Sequence, residues 1–229
     1  MPTLRALIFD VDGTLAETEE LHRQAFNETF TAENLPWHWD QPLYAQLLEV
    51  TGGKERIAHY IATHTPATPM DAPRIAALHA AKTARYTALI DNGTITLRPG
   101  IPELLQEAAA AGLRLAIATT TSRPNVDALL RATLGANPFE VIACGDEVAA
   151  KKPAPDIYVL ALQRLALPPE DCIAIEDTLN GVRSAQGAGL RCVVTPSLYG
   201  GQGPFPGAAI APGILTLGTL HAISTSTSF

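Results

Sequence analysis

The chain has 229 residues, 47% of them hydrophobic, and a formal net charge of −7. That length allows one large domain or two small ones around a substantial core, and the acidic balance argues against the basic field that a nucleic-acid or anionic-membrane partner requires. The three cysteines, Cys144, Cys172 and Cys192, are widely separated and suit core packing better than a disulfide or zinc framework. With no signal-peptide pattern and no apolar run of membrane-spanning length, a cytoplasmic protein without a membrane partner is expected.

The first element is a strand over 4–10, running into Leu7-Ile8-Phe9-Asp10-Val11-Asp12-Gly13-Thr14-Leu15. Asp10 follows four apolar residues, and a carboxylate buried that deeply must be paired, hydrogen-bonded or metal-bound. If strand geometry persists, Asp10 and Asp12 share a face at the carboxyl edge of a sheet, where open α/β folds place ligands. Gly13 then permits a sharp turn. Solvated aspartates in an Asp-Gly turn remain equally open on these residues alone.

From Glu17 to about Asn92, apolar positions such as Leu21, Ala25 and Phe26 recur at helical spacing. Helices are predicted over 18–32, 42–49, 54–64 and 71–90, with breaks at 33–40 and at the proline-rich 65–73. Trp37 and Trp39, in the first break, read as packing residues. After Leu97-Arg98-Pro99-Gly100 the pattern alternates. Strands are predicted at Leu113–Thr119, Val141–Cys144, Cys172–Ile175 and Cys192–Thr195, separated by helices over 101–111, 124–133, 155–166 and 179–188. This alternation implies a parallel sheet with helices on both faces. The first strand joins that sheet, so the helical segment is an insertion. Loops follow Gly200, with a short strand near Ala209 and a late helix around Leu217 to Ile223.

Polar strand ends would gather at one edge of the sheet. Thr119-Thr120-Thr121-Ser122-Arg123 enters a helix, where free amides favour an anion, although Thr121 or Ser122 also reads as an N-cap. In Lys151-Lys152-Pro153-Ala154-Pro155-Asp156, the prolines permit one lysine to aim into a pocket while the other stays in solvent. Ile173-Ala174-Ile175-Glu176-Asp177 repeats an apolar strand ending in carboxylates. Asp10 and Asp177 at one edge would repel each other unless a divalent cation lay between them.

Asp10-x-Asp12-Gly13-Thr14, Thr119, Lys152-Pro153 and Glu176-Asp177 resemble, in order and spacing, the four motifs of the haloacid dehalogenase superfamily, across nearly the whole chain. The helical insertion is similar to the small cap of the beta-phosphoglucomutase-like subgroup. Thr51-Gly52-Gly53-Lys54-Glu55-Arg56-Ile57 and Lys152-Pro153-Ala154-Pro155-Asp156 resemble the CbbY-type sugar phosphatases, associated with removing one phosphate from xylulose 1,5-bisphosphate, a Rubisco inhibitor of the Calvin cycle.

The resemblance implies a Rossmann-like α/β core at 1–16 and 94–229, and an α-helical cap at 17–93. It implies Asp10 as nucleophile, Asp12 as acid and base with a backbone carbonyl toward the metal, and Thr119 and Lys152 on the phosphoryl oxygens. Mg²⁺ is the implied cofactor, held by Asp10 and Asp177, with Glu176 a direct ligand or one water removed. Glu17 and His22 match positions that face substrate or assist proton transfer, though a helical His is as often structural. The Gly52-Gly53 pair permits close amide approach; Lys54 and Arg56 contact hydroxyls or a distal phosphate, or else form a solvated helix start. Thr121, Ser122 and Arg123 stand on the core side, with Arg85 a weaker candidate. A monomer acting on a small sugar phosphate is expected. A phosphomutase is the alternative; a metal-free dehalogenase or a non-catalytic sensor fits Asp12 and Asp177 less well.

Overall fold

The computed structural model describes residues 4–225 apart from 68, 94 and 202. Six strands form one parallel sheet: β1 (Ala6–Phe9), β2 (Arg114–Ala118), β3 (Val141–Ala143), β4 (Cys172–Glu176), β5 (Arg191–Val194) and β6 (Ala209–Ile210), in the spatial order β3-β2-β1-β4-β5-β6. β1 is buried throughout, as a continuous apolar strand covered on both faces must be. Its register sets Phe9 opposite Ile117 on one side and Ile175 on the other.

Alternation along these strands divides the core into two layers. Leu7, Phe9, Ile117, Ile173 and Ile175 pack beneath α5 (Ile101–Ala110), α6 (Arg123–Thr133) and α9 (Leu217–Thr225). Ala6, Ile8, Ala116, Ala118 and Ala174 face α7 (Asp156–Leu165) and α8 (Leu179–Gly187). The small residues on this second face let the helices approach closely. Strand order runs outward from β1 in both directions, to β2 and β3 on one side and to β4, β5 and β6 on the other. β1 therefore marks the switch point, where strand ends diverge and leave a crevice for a ligand.

The insertion leaves and returns at this point. Its helices are α1 (Glu19–Ala32), α2 (Gln41–Leu47), α3 (Gly53–His64) and α4 (Ala72–Asn92). Asp40 and Asp71 explain two helix starts: each accepts a hydrogen bond from the amide three residues on, at 2.9 Å, with proline in the first turn. Phe26, Phe30, Trp37, Trp39, Tyr44 and Tyr60 make a separate aromatic core, so the tryptophans are packing residues.

Predicted and observed elements agree within one or two residues at most ends. In the first strand a difference of one residue bears on the site, because it ends at Phe9. Asp10 still joins the sheet by donating its amide to Ile175 O at 3.0 Å, but beyond it the chain folds into a turn in which Leu15 N reaches Val11 O at 2.9 Å. Two 3-10 turns, Gly145–Glu147 and Pro169–Asp171, were not predicted; both are too short to carry a hydrophobic period. All three cysteines are buried and free.

Candidate active site

The ends of β1 and β4, adjacent in the sheet, bring three carboxylates together. Asp10, Glu176 and Asp177 are all buried, and one oxygen from each lies within 4.8 Å of the others. Lys152, 4% exposed, reaches into the cluster from the loop before α7, with Nζ 2.6 Å from both Asp10 Oδ1 and Glu176 Oε1. Tyr158 also donates to Glu176 Oε1, at 2.6 Å, and Ser197 donates to Asp177 Oδ2, at 2.6 Å. Burial drives the Asp10 carboxyl well above its ordinary range, with Glu176 and Asp12 adding to the effect against the pull of Lys152. Burial likewise raises Asp177, reinforced by the charges of Asp10 and Glu176. Burial alone would lower Lys152, but the Asp10 and Glu176 carboxylates hold its ammonium up.

One ammonium among three buried carboxylates leaves an excess of negative charge. The donor set is all oxygen, which suits a hard divalent cation such as Mg²⁺. The residues present therefore fit the metal that the sequence motifs imply.

Asp12 faces a different group. Its Oδ1 accepts a hydrogen bond from Thr18 Oγ1 and lies 3.0 Å from His22 Nε2, and Lys82 Nζ lies 2.5 Å from His22 Nδ1. An ammonium donating to Nδ1 places the imidazole proton on Nε2, aimed at Asp12. Stacking on Tyr86, at 3.9 Å between ring centres, fixes the His22 plane. Burial alone would raise Asp12, but His22, Thr18 and Lys82 bring it down to about 2. Burial and the nearby Lys82 lower His22. Burial brings Lys82 down to about 7 against the pull of Asp12 and Glu19.

Two cavities of about 650 and 370 Å³ open on either side of Asp12. The larger contains Asp10, Lys152, Glu176 and Asp177; the smaller contains His22, Gly53, Lys54, Thr121, Ser122 and Asn125. Asp12, Glu19, Arg56 and Thr120 line both, so the cavities meet at Asp12. A Cβ at Gly53 would stand 2.4 Å from His79 Nε2, so a larger residue there would push the imidazole aside.

Other sequence candidates lie elsewhere. Thr119 sits beneath the cavities, its hydroxyl accepting from Thr121 N at 3.2 Å, while Thr120 forms the wall. Glu17 lines neither cavity and pairs with Arg98 at 3.4 Å. Arg123 also lines neither and pairs with Asp127 at 2.8 Å, because the first turn of α6 directs it outward along the helix. Arg85 is likewise outside both, its Nη1 3.4 Å from Ala81 O. Arg56 reaches the cavity walls with its guanidinium already committed: it donates to Leu47 O at 3.1 Å and Tyr44 OH at 3.3 Å, and lies over the Tyr44 ring. Lys151 is not simply solvated, since its amine donates to Gly145 O and Val148 O at 2.6 and 2.8 Å.

Sequence reasoning missed Thr18, Glu19, Lys82, Tyr158 and Ser197. Thr18 precedes two acidic residues at a helix start and carries the pattern of an N-cap. Lys82 has no local signal, because a lysine in an alanine-rich helix reads as solvated.

A doubly wound parallel sheet that gathers buried carboxylates and a lysine at its switch point is the arrangement of an α/β enzyme that handles phosphoryl groups. The chain belongs to the haloacid dehalogenase-like hydrolase family, whose model matches residues 4–189, and it is a phosphatase. It is 57% identical over 209 residues to the protein CbbY of Cereibacter sphaeroides, covering 90% of each chain. To the CbbY of Rhodobacter capsulatus it is 59% identical over 199 residues, covering 86% of this chain and 87% of the relative. A crystal structure of CbbY from Rhodobacter sphaeroides, a variant in complex with xylulose 1,5-bisphosphate, superposes with a TM-score of 0.88 at 55% identity, covering 93% of this chain and 95% of that one. The beta-phosphoglucomutase of Clostridium difficile shares the fold, with a TM-score of 0.83 at 20% identity over 97% of each chain.

Proposed function

We propose that the chain is a Mg²⁺-dependent sugar bisphosphate phosphatase that converts xylulose 1,5-bisphosphate to xylulose 5-phosphate, and that residues 17–93 form its cap. The observation that carries this reading is the meeting of two cavities at Asp12. It allows one phosphate to sit against Asp10 and Lys152 while a second, at the far end of a short sugar, reaches Lys54 and the Thr121–Ser122 turn. The likeness to a relative crystallised with that bisphosphate supports the choice of sugar. In carbon-fixing metabolism this activity clears a Rubisco inhibitor from the Calvin cycle.

In the proposed sequence, an Asp10 oxygen attacks phosphorus, and the departing sugar oxygen takes a proton from Asp12. Asp12 is ionised in the free site and takes up a proton from solvent as the negative phosphoryl group arriving beside it raises its proton affinity, and this is the proton it gives to the sugar oxygen. The aspartyl phosphate is then opened by water, which gives its proton to Asp12 as it attacks phosphorus, releasing phosphate and restoring Asp10. Lys152 holds the phosphoryl oxygens as charge shifts between them, and Thr119, from beneath the wall, fixes the Thr121 amide. The His22 and Thr18 hydrogen bonds keep the Asp12 carboxylate aimed at the shared wall of the cavities. Asp10 and Asp177 would hold Mg²⁺ with the Asp12 carbonyl, and Glu176, engaged by Lys152 and Tyr158, supports them from behind. When bound, the cation supplies the positive charge that lets a phosphate dianion approach these carboxylates.

The test is phosphate release from xylulose 1,5-bisphosphate and a panel of sugar monophosphates, with Mg²⁺ and with excess chelator. One equivalent of phosphate per bisphosphate, only with Mg²⁺, is the expected result. An isomeric sugar phosphate without free phosphate would replace this reading by a mutase, and no turnover of any sugar phosphate would overturn it.

A further inference from the structure

Arg98 lies where the chain returns from the helical insertion to the sheet, and its side chain is only 17% exposed. Its amide donates to Leu15 O at 2.8 Å, which joins the outgoing and returning segments. Its guanidinium donates to Gly13 O, to Thr195 O at 3.0 Å and to Pro196 O at 2.7 Å, and its Nε lies 3.4 Å from Glu17 Oε1. Gly13 is the residue after Asp12; Thr195 and Pro196 immediately precede Ser197, which donates to Asp177 Oδ2. One side chain thus grips both loops that enclose a single carboxylate.

The enclosure is tight. A Cβ at Gly13 would lie 2.1 Å from Asp177 Oδ2 and 2.9 Å from Ser197 Oγ. Asp177 Oδ2 is therefore confined between the Gly13 backbone and the Ser197 hydroxyl, and Gly200 N donates to that hydroxyl at 2.8 Å. A guanidinium suits the task, because its planar fork satisfies neighbouring carbonyls that a lysine ammonium reaches only as a point charge. Without the fork, the Gly13, Thr195 and Pro196 carbonyls lose their common donor, and only the Gly200 amide and the Thr195 N to Glu176 O bond still hold the Ser197 loop over Asp177.

We propose that Arg98 is a positioning residue for the metal-binding carboxylates: by clasping Gly13, Thr195 and Pro196 it holds Ser197 on Asp177, so that the remaining oxygen of Asp177 is presented to Mg²⁺. The inference rests on the metal site proposed above. Outer partners of metal ligands commonly contribute ten- to a hundredfold to metal affinity. Arg98 acts through Ser197, so either substitution should weaken the metal without touching the sugar.

Mg²⁺ binding is measured by calorimetry on metal-stripped wild type, Arg98→Gln and Ser197→Ala, with melting temperature and sugar-phosphate KM at saturating Mg²⁺ determined in parallel. Wild type binds Mg²⁺, and both variants lose about ten- to a hundredfold in affinity while KM stays within about threefold. A lowered melting temperature with unchanged Mg²⁺ affinity in the variants makes Arg98 a brace of the fold only and overturns the proposal. If Arg98→Gln does not fold, Ser197→Ala decides alone, and unchanged affinity there overturns it equally. Wild type that takes up no Mg²⁺ fails the metal reading and this role with it, whereas Mg²⁺ uptake by wild type and variants alike fails this role only.

Discussion

Asp10 and Asp12 are two residues apart and serve different neighbours. Asp10 lies against Lys152, within reach of Glu176 and Asp177; Asp12 turns toward Thr18 and His22. The division follows from the strand ending at Phe9, since the turn that follows separates the two carboxyls. Asp10→Asn keeps the shape and removes the nucleophile, so turnover should vanish while circular dichroism and melting remain close to wild type. Asp12→Asn should slow turnover by about 10² to 10⁴-fold, the usual contribution of a positioned acid or base; a loss below tenfold would remove it from that role. Lys82 supplies a pH test. Its folded pKa of about 7 lies below its ordinary 10.5. Between those values the unfolded chain binds the proton and the folded chain does not, so stability contributed at this site rises with pH across that window and is lowest below it. Lys82→Met should therefore be more stable than wild type below pH 7, on the order of a few kcal/mol, with the gain shrinking toward pH 10.5. Denaturant melts across pH check this; a pH-independent difference would count against a buried ammonium, and activity should fall as His22 loses its partner.

At the scale of elements, most of the fold was legible because a buried parallel strand is a short apolar run and its crossover helices carry a 3.6-residue period. Asp10, Asp12, Glu176 and Asp177 were legible as candidates because they stand at or just beyond apolar strand ends, and Lys152 because prolines mark the helix start after it. What escaped depends on helix faces meeting at a distance. Arg56, near the start of α3, reads as a cleft cation and does line both cavities, but its guanidinium is engaged by Leu47 O and the Tyr44 ring. Lys82 on α4 meets His22 on α1 across 60 residues, and no local pattern announces such a meeting. The two cap cations should therefore behave differently. Lys54→Ala should lower specificity for bisphosphates by about ten- to a hundredfold, the range of a lost charge-assisted contact, and leave monophosphates nearly unchanged. Arg56→Ala should lower the melting temperature and weaken both substrate types alike, because it leaves Leu47 O and the Tyr44 ring without their partner. Steady-state kinetics on the two substrate types separates the cases, and a bisphosphate-selective loss in Arg56→Ala would return it to the list of phosphate contacts.

Across the whole molecule, insertion and core are joined around the cavities by contacts from several segments. Thr51 donates to Lys152 O, Asn180 donates to Glu49 O at 3.0 Å, and Tyr199 donates to Glu20 Oε2 at 2.8 Å. Thr51 binds the carbonyl of the lysine that reaches Asp10, so the helical insertion touches the core directly beside the carboxylate cluster. A ligand spanning both cavities touches cap and core together, and its binding energy adds to every one of these contacts. Asp10→Asn, which binds without turnover, isolates that energy. At a hundred times its dissociation constant a ligand stabilises the folded chain by about 2.7 kcal/mol, and in a chain of this size that raises the melting temperature by about 5 to 10 °C. Xylulose 1,5-bisphosphate with Mg²⁺ should give this shift. At the same concentration xylulose 5-phosphate should give a clearly smaller one, because it engages one phosphate position and not two. Adding Lys54→Ala to Asp10→Asn should bring the bisphosphate down to the monophosphate level. Equal shifts for the two sugars in Asp10→Asn would show that only one phosphate is gripped, and the smaller cavity would then hold the sugar hydroxyls instead.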